Sequence, residues 1–173
     1  MEENSLKTRK FSLRYGALAG IVGIVFGVML FTMDMHYDRS TAIQAIQFGI
    51  LAIFVVIGII QFKKANESYL TIGQAIKIGA GVGLIAAVIG TVYFLVLSNV
   101  IEPDYMEKAA EIQKVKTFAE NPSLTQEQWD QGMEMQKKFF PVFLGIGVIM
   151  SALFGLIIGL ITGLITKKAK PSY

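Results

Sequence analysis

The residues that could do chemistry in this chain are few and mostly isolated. There is one histidine, His36, and no cysteine. In sequence, His36 follows Met29, Met33 and Met35 and is flanked by Asp34 and Asp38. Thioether and imidazole ligands suit Cu(I). Met33, Met35 and His36 are too close in sequence to share a helical face, and methionine is ordinary in apolar helices, so no metal site is expected. No HExxH, GxSxG or P-loop pattern occurs. Eight of the 13 carboxylates lie in residues 102–138, where nothing pairs one with a base. No catalytic residue and no cofactor are therefore expected. What remains is Gln44 with Gln47, three apart and so on one helical face, together with Thr91 and Ser151. Two readings of Gln44, Gln47 and Thr91 stay open: hydrogen bonds between helices, or the polar path of a small permease or channel.

The elements that must position these residues follow from where charge is missing. Hydrophobic residues make up 53% of the 173-residue chain, and only 17% are charged, against about 25% in ordinary globular proteins. Four stretches carry no charge: residues 15–33, 41–62, 78–101 and 139–166, or 19, 22, 24 and 28 residues. A helix needs about 20 apolar residues to cross a hydrocarbon layer about 30 Å thick. Backbone groups in lipid must pair internally, so each stretch predicts a spanning helix. The expected fold is all-α: an integral membrane four-helix bundle of two hairpins, read as one membrane domain over residues 1–173. The first stretch is too long for a signal peptide's apolar core and lacks a small-x-small cleavage site, so a retained anchor is expected. The fourth stretch is longer than a crossing needs, so either it tilts or its first turns stand in the interface; Pro141 near its start favours the second, because proline suits a helix's first turn and disrupts its interior.

Lysine and arginine in short segments set orientation. Residues 1–14 carry Lys7, Arg9, Lys10 and Arg14, residues 63–77 carry Lys63, Lys64 and Lys77, and residues 167–173 carry Lys167, Lys168 and Lys170. The first connection holds only Arg39. Both termini are expected in the cytoplasm, with residues 102–138 outside. Cytoplasmic segments then hold ten basic and three acidic residues, and outer segments six and ten. The net charge of +3 is thus what remains of an asymmetry across the membrane. It describes no basic surface for nucleic acid, and the lipid bilayer is the expected surrounding.

Small residues recur at helical spacing. Fifteen of the 17 glycines lie in the spans. Gly16, Gly20, Gly23 and Gly27 form a row in the first, and Gly79, Gly83, Ala86 and Gly90 repeat its steps in the third. The fourth has Gly147, Ser151, Gly155, Gly159 and Gly163, a strict step of four. Such rows let helix backbones approach closely. They predict packing within one bundle, with a homodimer through the fourth helix as the alternative use of the last row. Arg14–Gly20 laid over Lys77–Gly83 matches a basic residue and two glycines, a faint repeat of two parallel hairpins.

The outer connection reads as two short amphipathic helices. Pro103-Asp104 starts the first, with Tyr105, Ala109, Ile112 and Val115 on one face, and Asn121-Pro122 ends it. Thr125 and Gln128 form a capping box for the second, whose face is Trp129, Met133, Gln136 and Phe140. The connection is expected to cap the bundle at the membrane surface, with Trp129 and Tyr105 as interfacial anchors, or to dock an envelope protein.

The stretch Tyr69-Leu70-Thr71-Ile72-Gly73-Gln74-Ala75-Ile76-Lys77-Ile78-Gly79, then Ile101-Glu102-Pro103-Asp104-Tyr105, then Lys167-Lys168, resembles the four-pass membrane proteins of Bacteroidota classed as a domain of unknown function, number 4199. The resemblance covers nearly the full chain. It implies a bacterial inner-membrane protein without an assigned activity or site. Residue by residue, Gln74-Ala75-x-Lys77-x-Gly79 reads as a cytoplasmic helix start, with a snorkelling lysine and a glycine that admits close packing. The function expected is that of a non-enzymatic structural or interaction protein, and the rival is the small permease.

Overall fold

The computed structural model of the chain describes residues 2–38 and 40–168, with side chains from Lys7 onward. Arg39 and Lys170, which enter the charge count above, lie outside the described residues. Those residues form five α-helices: α1 (Glu2–Thr32), α2 (Thr41–Ala65), α3 (Ile72–Val96), α4 (Tyr105–Glu120) and α5 (Gln126–Thr166). A π-helical turn, Leu97–Ile101, continues α3. Four of the helices are long and apolar enough to cross a membrane, as the charge-free stretches predict. The chain divides into two compact units, residues 1–90 with 147–173, and residues 91–146.

The first unit is a four-helix bundle whose neighbours follow from individual contacts. Helix α2 lies on α1 where Gly58 admits the Tyr15 side chain, a Cβ there falling 3.2 Å from the ring. Helix α1 lies on α3, with the Ser12 hydroxyl 3.5 Å from the Ile78 carbonyl. Helix α3 lies on α5 through their glycines, and α5 returns to α2 where Phe154 and Phe48 meet at 4.8 Å. The order around the bundle is α1, α2, α5, α3. Its core holds Val55, Ile59, Phe62, Leu70, Ile78 and Val82, all at or below 1% exposure.

Helix ends are closed by local hydrogen bonds, which matter because the last four carbonyls and first four amides of each helix lack partners within it. Ser40 caps α2 by accepting from the Ile43 amide at 3.5 Å. Thr71 and Gln74 exchange bonds at 2.9 and 3.2 Å and open α3, a reciprocal capping box. Helix α1 begins well before the apolar stretch. Thr8 and Ser12 in this polar stretch are buried, and the Ser12 hydroxyl donates back to the Thr8 carbonyl.

Helix α5 departs from the sequence expectation. A short outer helix and a separate span were expected, with Pro141 near the start of the span. The structure has one helix of 41 residues with Pro141 inside it. A proline in a helix interior costs roughly 3 kcal/mol, mainly through one lost amide donor and a crowded carbonyl. A full break would expose up to eight backbone groups instead, beside a segment that must enter lipid. Pro141 and Lys137, four residues before it, are both exposed, where water can satisfy the freed carbonyl.

Candidate functional site

Two features of the bundle unit stand out: a seam where α3 meets α5, and the basic end where that seam closes. At Gly79, Gly83, Gly155 and Gly159, no side chain separates the backbones. A Cβ built on Gly79 would run into the Gly155 carbonyl oxygen, and one on Gly155 into the Gly79 oxygen. Gly83 faces the Ser151 carbonyl in the same way. A Cβ on Gly159 would lie 2.7 Å from the Ala75 oxygen, and one on Gly163 would lie 2.8 Å from the Ala75 Cβ. The Ser151 hydroxyl donates to the Gly83 carbonyl at 3.0 Å. Close approach of this kind brings Cα–H groups against carbonyls, a weak attraction that recurs where glycine helices cross.

The other glycine row serves α1 and α3. Cβ atoms on Gly16 and Gly20 would lie 2.7 and 2.8 Å from those of Ile85 and Ile89. Helix α3 is therefore held closely on two sides. Gly23, Gly90 and Gly147 open onto space, with nothing within 4 Å of a built Cβ, and Gly27 is half-buried. The row of four in α5 thus faces its own chain from Ser151 to Gly163.

Gln44 and Gln47 are exposed on α2, and Thr91 is half-buried in the other unit. The His36 ring meets those of Phe31 and Tyr37 at a tilt, with ring centroids at 4.9 and 4.1 Å. Met29, Met33 and Met35 are exposed. Among the described residues, no three His, Cys, Asp or Glu side chains gather as a metal-holding group.

The basic end is a built junction. Glu67 and Ser68 turn the chain with φ of 54° and 65°, in the left-handed region. The Asn66 side chain donates to the Tyr69 carbonyl at 2.9 Å and steadies this turn. Leu70, at 1% exposure, plugs the bundle end. Its amide donates to the Lys168 carbonyl, and its carbonyl accepts from the Lys168 amide, both at 3.0 Å. The Lys63 ammonium donates to the Thr166 carbonyl at 2.8 Å, supplying the partner that the last turn of α5 lacks. The Lys168 ammonium lies 5.7 Å from the centre of the Tyr69 ring. The stretch from Tyr69 to Gly79 thereby gains a physical account: lock, helix start and seam in one run. The Thr71–Gln74 box was legible as a T-x-x-Q pattern, the same that marks Thr125. The Lys63 and Lys168 contacts were not, because each joins residues about a hundred positions apart.

In the second unit, the Thr125–Gln128 capping box forms, at 3.0 and 3.3 Å. Trp129, Met133, Gln136 and Phe140 are all half-buried, so the face read from spacing is the covered one. The face expected on α4 is covered only at Tyr105 and the half-buried Ala109. Tyr105 is buried edge-on against Phe94, but Ile112 and Val115 are 39% and 72% exposed. The covered side runs instead through Ala110, Lys114, Thr117 and Phe118. Phe118 meets Trp129 at 6.2 Å, and this aromatic pair buries more area than the two aliphatic residues would. Lys108 and Glu102 form an ion pair at 2.9 Å, and the hydrogen bond to Glu102 raises the lysine's pKa above its ordinary value.

A family profile for a protein of unknown function, DUF4199, matches residues 14–168. The chain belongs to that family. The match begins inside the first of the four long apolar helices, takes in the other three, and ends on Lys168, the residue that pairs with Leu70. No curated protein and no solved structure matches the chain. The family description assigns no activity, so function must be argued from the arrangement of the helices.

Proposed function

We propose that the protein is a non-enzymatic structural or interaction protein of the bacterial inner membrane, with both termini cytoplasmic and residues 102–138 outside. The observation that carries this reading is the seam. Backbone meets backbone between α3 and α5, glycine meets isoleucine between α1 and α3, and the hydroxyls of Ser151 and Ser12 in these contacts donate to carbonyls of α3. No Asp, Glu, Lys, Arg or His lies deep in any of the charge-free spans, whereas proton relays and ion paths are built on such residues. A bundle of this kind anchors what it carries. A permease path along Gln44 and Gln47 needs them to face an interior, and their exposure supports the anchoring reading. The concentration of lysine and arginine in residues 1–14, 63–77 and 167–173 supports the orientation. The exposed Ile112 and Val115 support an envelope partner for the outer helices. A homodimer through α5 would use the exposed row Leu153, Ile157, Ile161 and Leu164, because the glycine row is occupied.

The chain has no cysteine, so single cysteines report cleanly. In spheroplasts, Glu120→Cys should react with a membrane-impermeant maleimide, and Glu67→Cys only after lysis. The opposite result reverses the orientation. A photo-crosslinker at Val115 should give a discrete protein adduct in cells. Lipid adducts alone would reduce residues 102–138 to a structural cap.

A further inference from the structure

The basic end of the bundle carries charge that helix packing does not use. The ends of α2 and α5 are tied by the Lys63–Thr166 bond at 2.8 Å and the paired 3.0 Å bonds of Leu70 and Lys168. Lys63 is occupied there. Lys64, Lys167 and Lys168 are exposed on the same tied framework. Residues 63–77 and 167–173 together hold six lysines and one carboxylate, Glu67.

What lies beside these lysines identifies the occupant. Ile60 precedes Lys64 by one helical turn and is 37% exposed. Leu164 and Ile165, at 51% and 79% exposure, lie three and two residues before Lys167, whose amide still bonds to the Gly163 carbonyl at 2.8 Å. Cations at the rim with an open apolar surface one turn deeper match the order of a phospholipid, phosphate above and acyl chain below. A free phosphate or a nucleic acid would leave the apolar half unused. Basic clusters between helices at the cytoplasmic face are suited to anionic headgroups.

We propose that the junction of α2 and α5 binds an anionic phospholipid, with Lys64, Lys167 and Lys168 around the phosphate and Ile60, Leu164 and Ile165 along the acyl chains. This rests on the membrane placement of the helices and on the cytoplasmic orientation proposed above. Its failure would leave the anchoring role and the orientation untouched.

The test uses the full-length protein, purified in neutral detergent. Phosphatidylglycerol, phosphatidylcholine and inorganic phosphate are titrated separately, reading the thermal midpoint and the lipid retained in native mass spectrometry. Phosphatidylglycerol should raise the midpoint and stay bound, and the other two should do neither. Removing one such lysine should weaken binding about fivefold, so the triple variant Lys64→Gln, Lys167→Gln, Lys168→Gln should lose about a hundredfold. The triple variant Lys114→Gln, Lys116→Gln, Lys137→Gln, outside the site, should bind as the parent does. If the first triple variant does not fold, Lys64→Gln alone carries the comparison with its fivefold loss. Equal binding of phosphatidylcholine, an equal response to inorganic phosphate, or equal weakening by the control triple each overturns the proposal.

Discussion

Gly79 and Gly155 face each other across α3 and α5, each occupying the space in which the other's carbonyl would meet a Cβ. The contact is reciprocal and entirely backbone, so neither side can yield by turning a rotamer. A substitution here must move a helix.

Gly79→Ala and Gly155→Ala should therefore each destabilise the protein by about 1–3 kcal/mol, the usual range for overpacking a tight interior. Gly23→Ala is the internal control, because nothing lies within 4 Å of a Cβ there. Alanine at such an open helical position should be neutral or stabilising by up to about 1 kcal/mol. Thermal unfolding in detergent, run on all three variants, checks the contrast. Equal effects at Gly23 and Gly79 would remove the seam as the reason for the glycine row.

Ser151 separates hydrogen bonding from packing on the same seam. Its hydroxyl donates to the Gly83 carbonyl at 3.0 Å. Hydrogen bonds between membrane helices average about 0.6 kcal/mol. Ser151→Ala should lose about that much, whereas Gly83→Ala, aimed at the Ser151 carbonyl, should lose more. The same unfolding assay orders the two.

How much of this was legible in the sequence depends on range. The spans followed from missing charge, and the Thr125 capping box and the Trp129–Phe140 face from spacing along one helix. The glycine rows were visible, but not that the row of α5 meets Gly79 and Gly83, since spacing says which face is small and not what covers it. Ile112 and Val115 were assigned to a covered face because they fit the period of Tyr105. The Phe118–Trp129 pair, set by the turn between two helices, decided otherwise. Pro141 was read by its usual effect on a helix, which here is outweighed by the cost of opening the backbone beside lipid.

The lock at the basic end predicts two separable losses. Leu70 is at 1% exposure, so Leu70→Ala should cost about 2–5 kcal/mol through the cavity it leaves. Lys63→Met keeps the aliphatic stem and removes the donor to Thr166, at about 1.5–3 kcal/mol for a hydrogen bond to a charged group. Amide hydrogen exchange distinguishes them. Lys63→Met should speed exchange at Lys167 and Lys168 while α3 stays protected, and Leu70→Ala should speed exchange in both helices. No change at Lys167 in the first variant would mean that the Lys63 bond does not hold the end of α5.

The ion pair at the start of α4 makes a pH prediction. Lys108 donates to Glu102 at 2.9 Å, and this bond holds the lysine's pKa above its ordinary value of 10.5. A group with a raised pKa in the folded state binds its proton more tightly there than in the unfolded chain. Its contribution is complete below about pH 10 and is lost as pH rises through the raised value. The gain in order at the start of α4, read as exchange of the Lys108 amide in the parent against a variant lacking the pair, should therefore be flat through the neutral range. The comparison is Glu102→Gln, which keeps a hydrogen-bond acceptor but removes the charge. The parent should lose its advantage over this variant only in the alkaline range. Loss of the advantage already at neutral pH would show that the pair does not set the order of this turn.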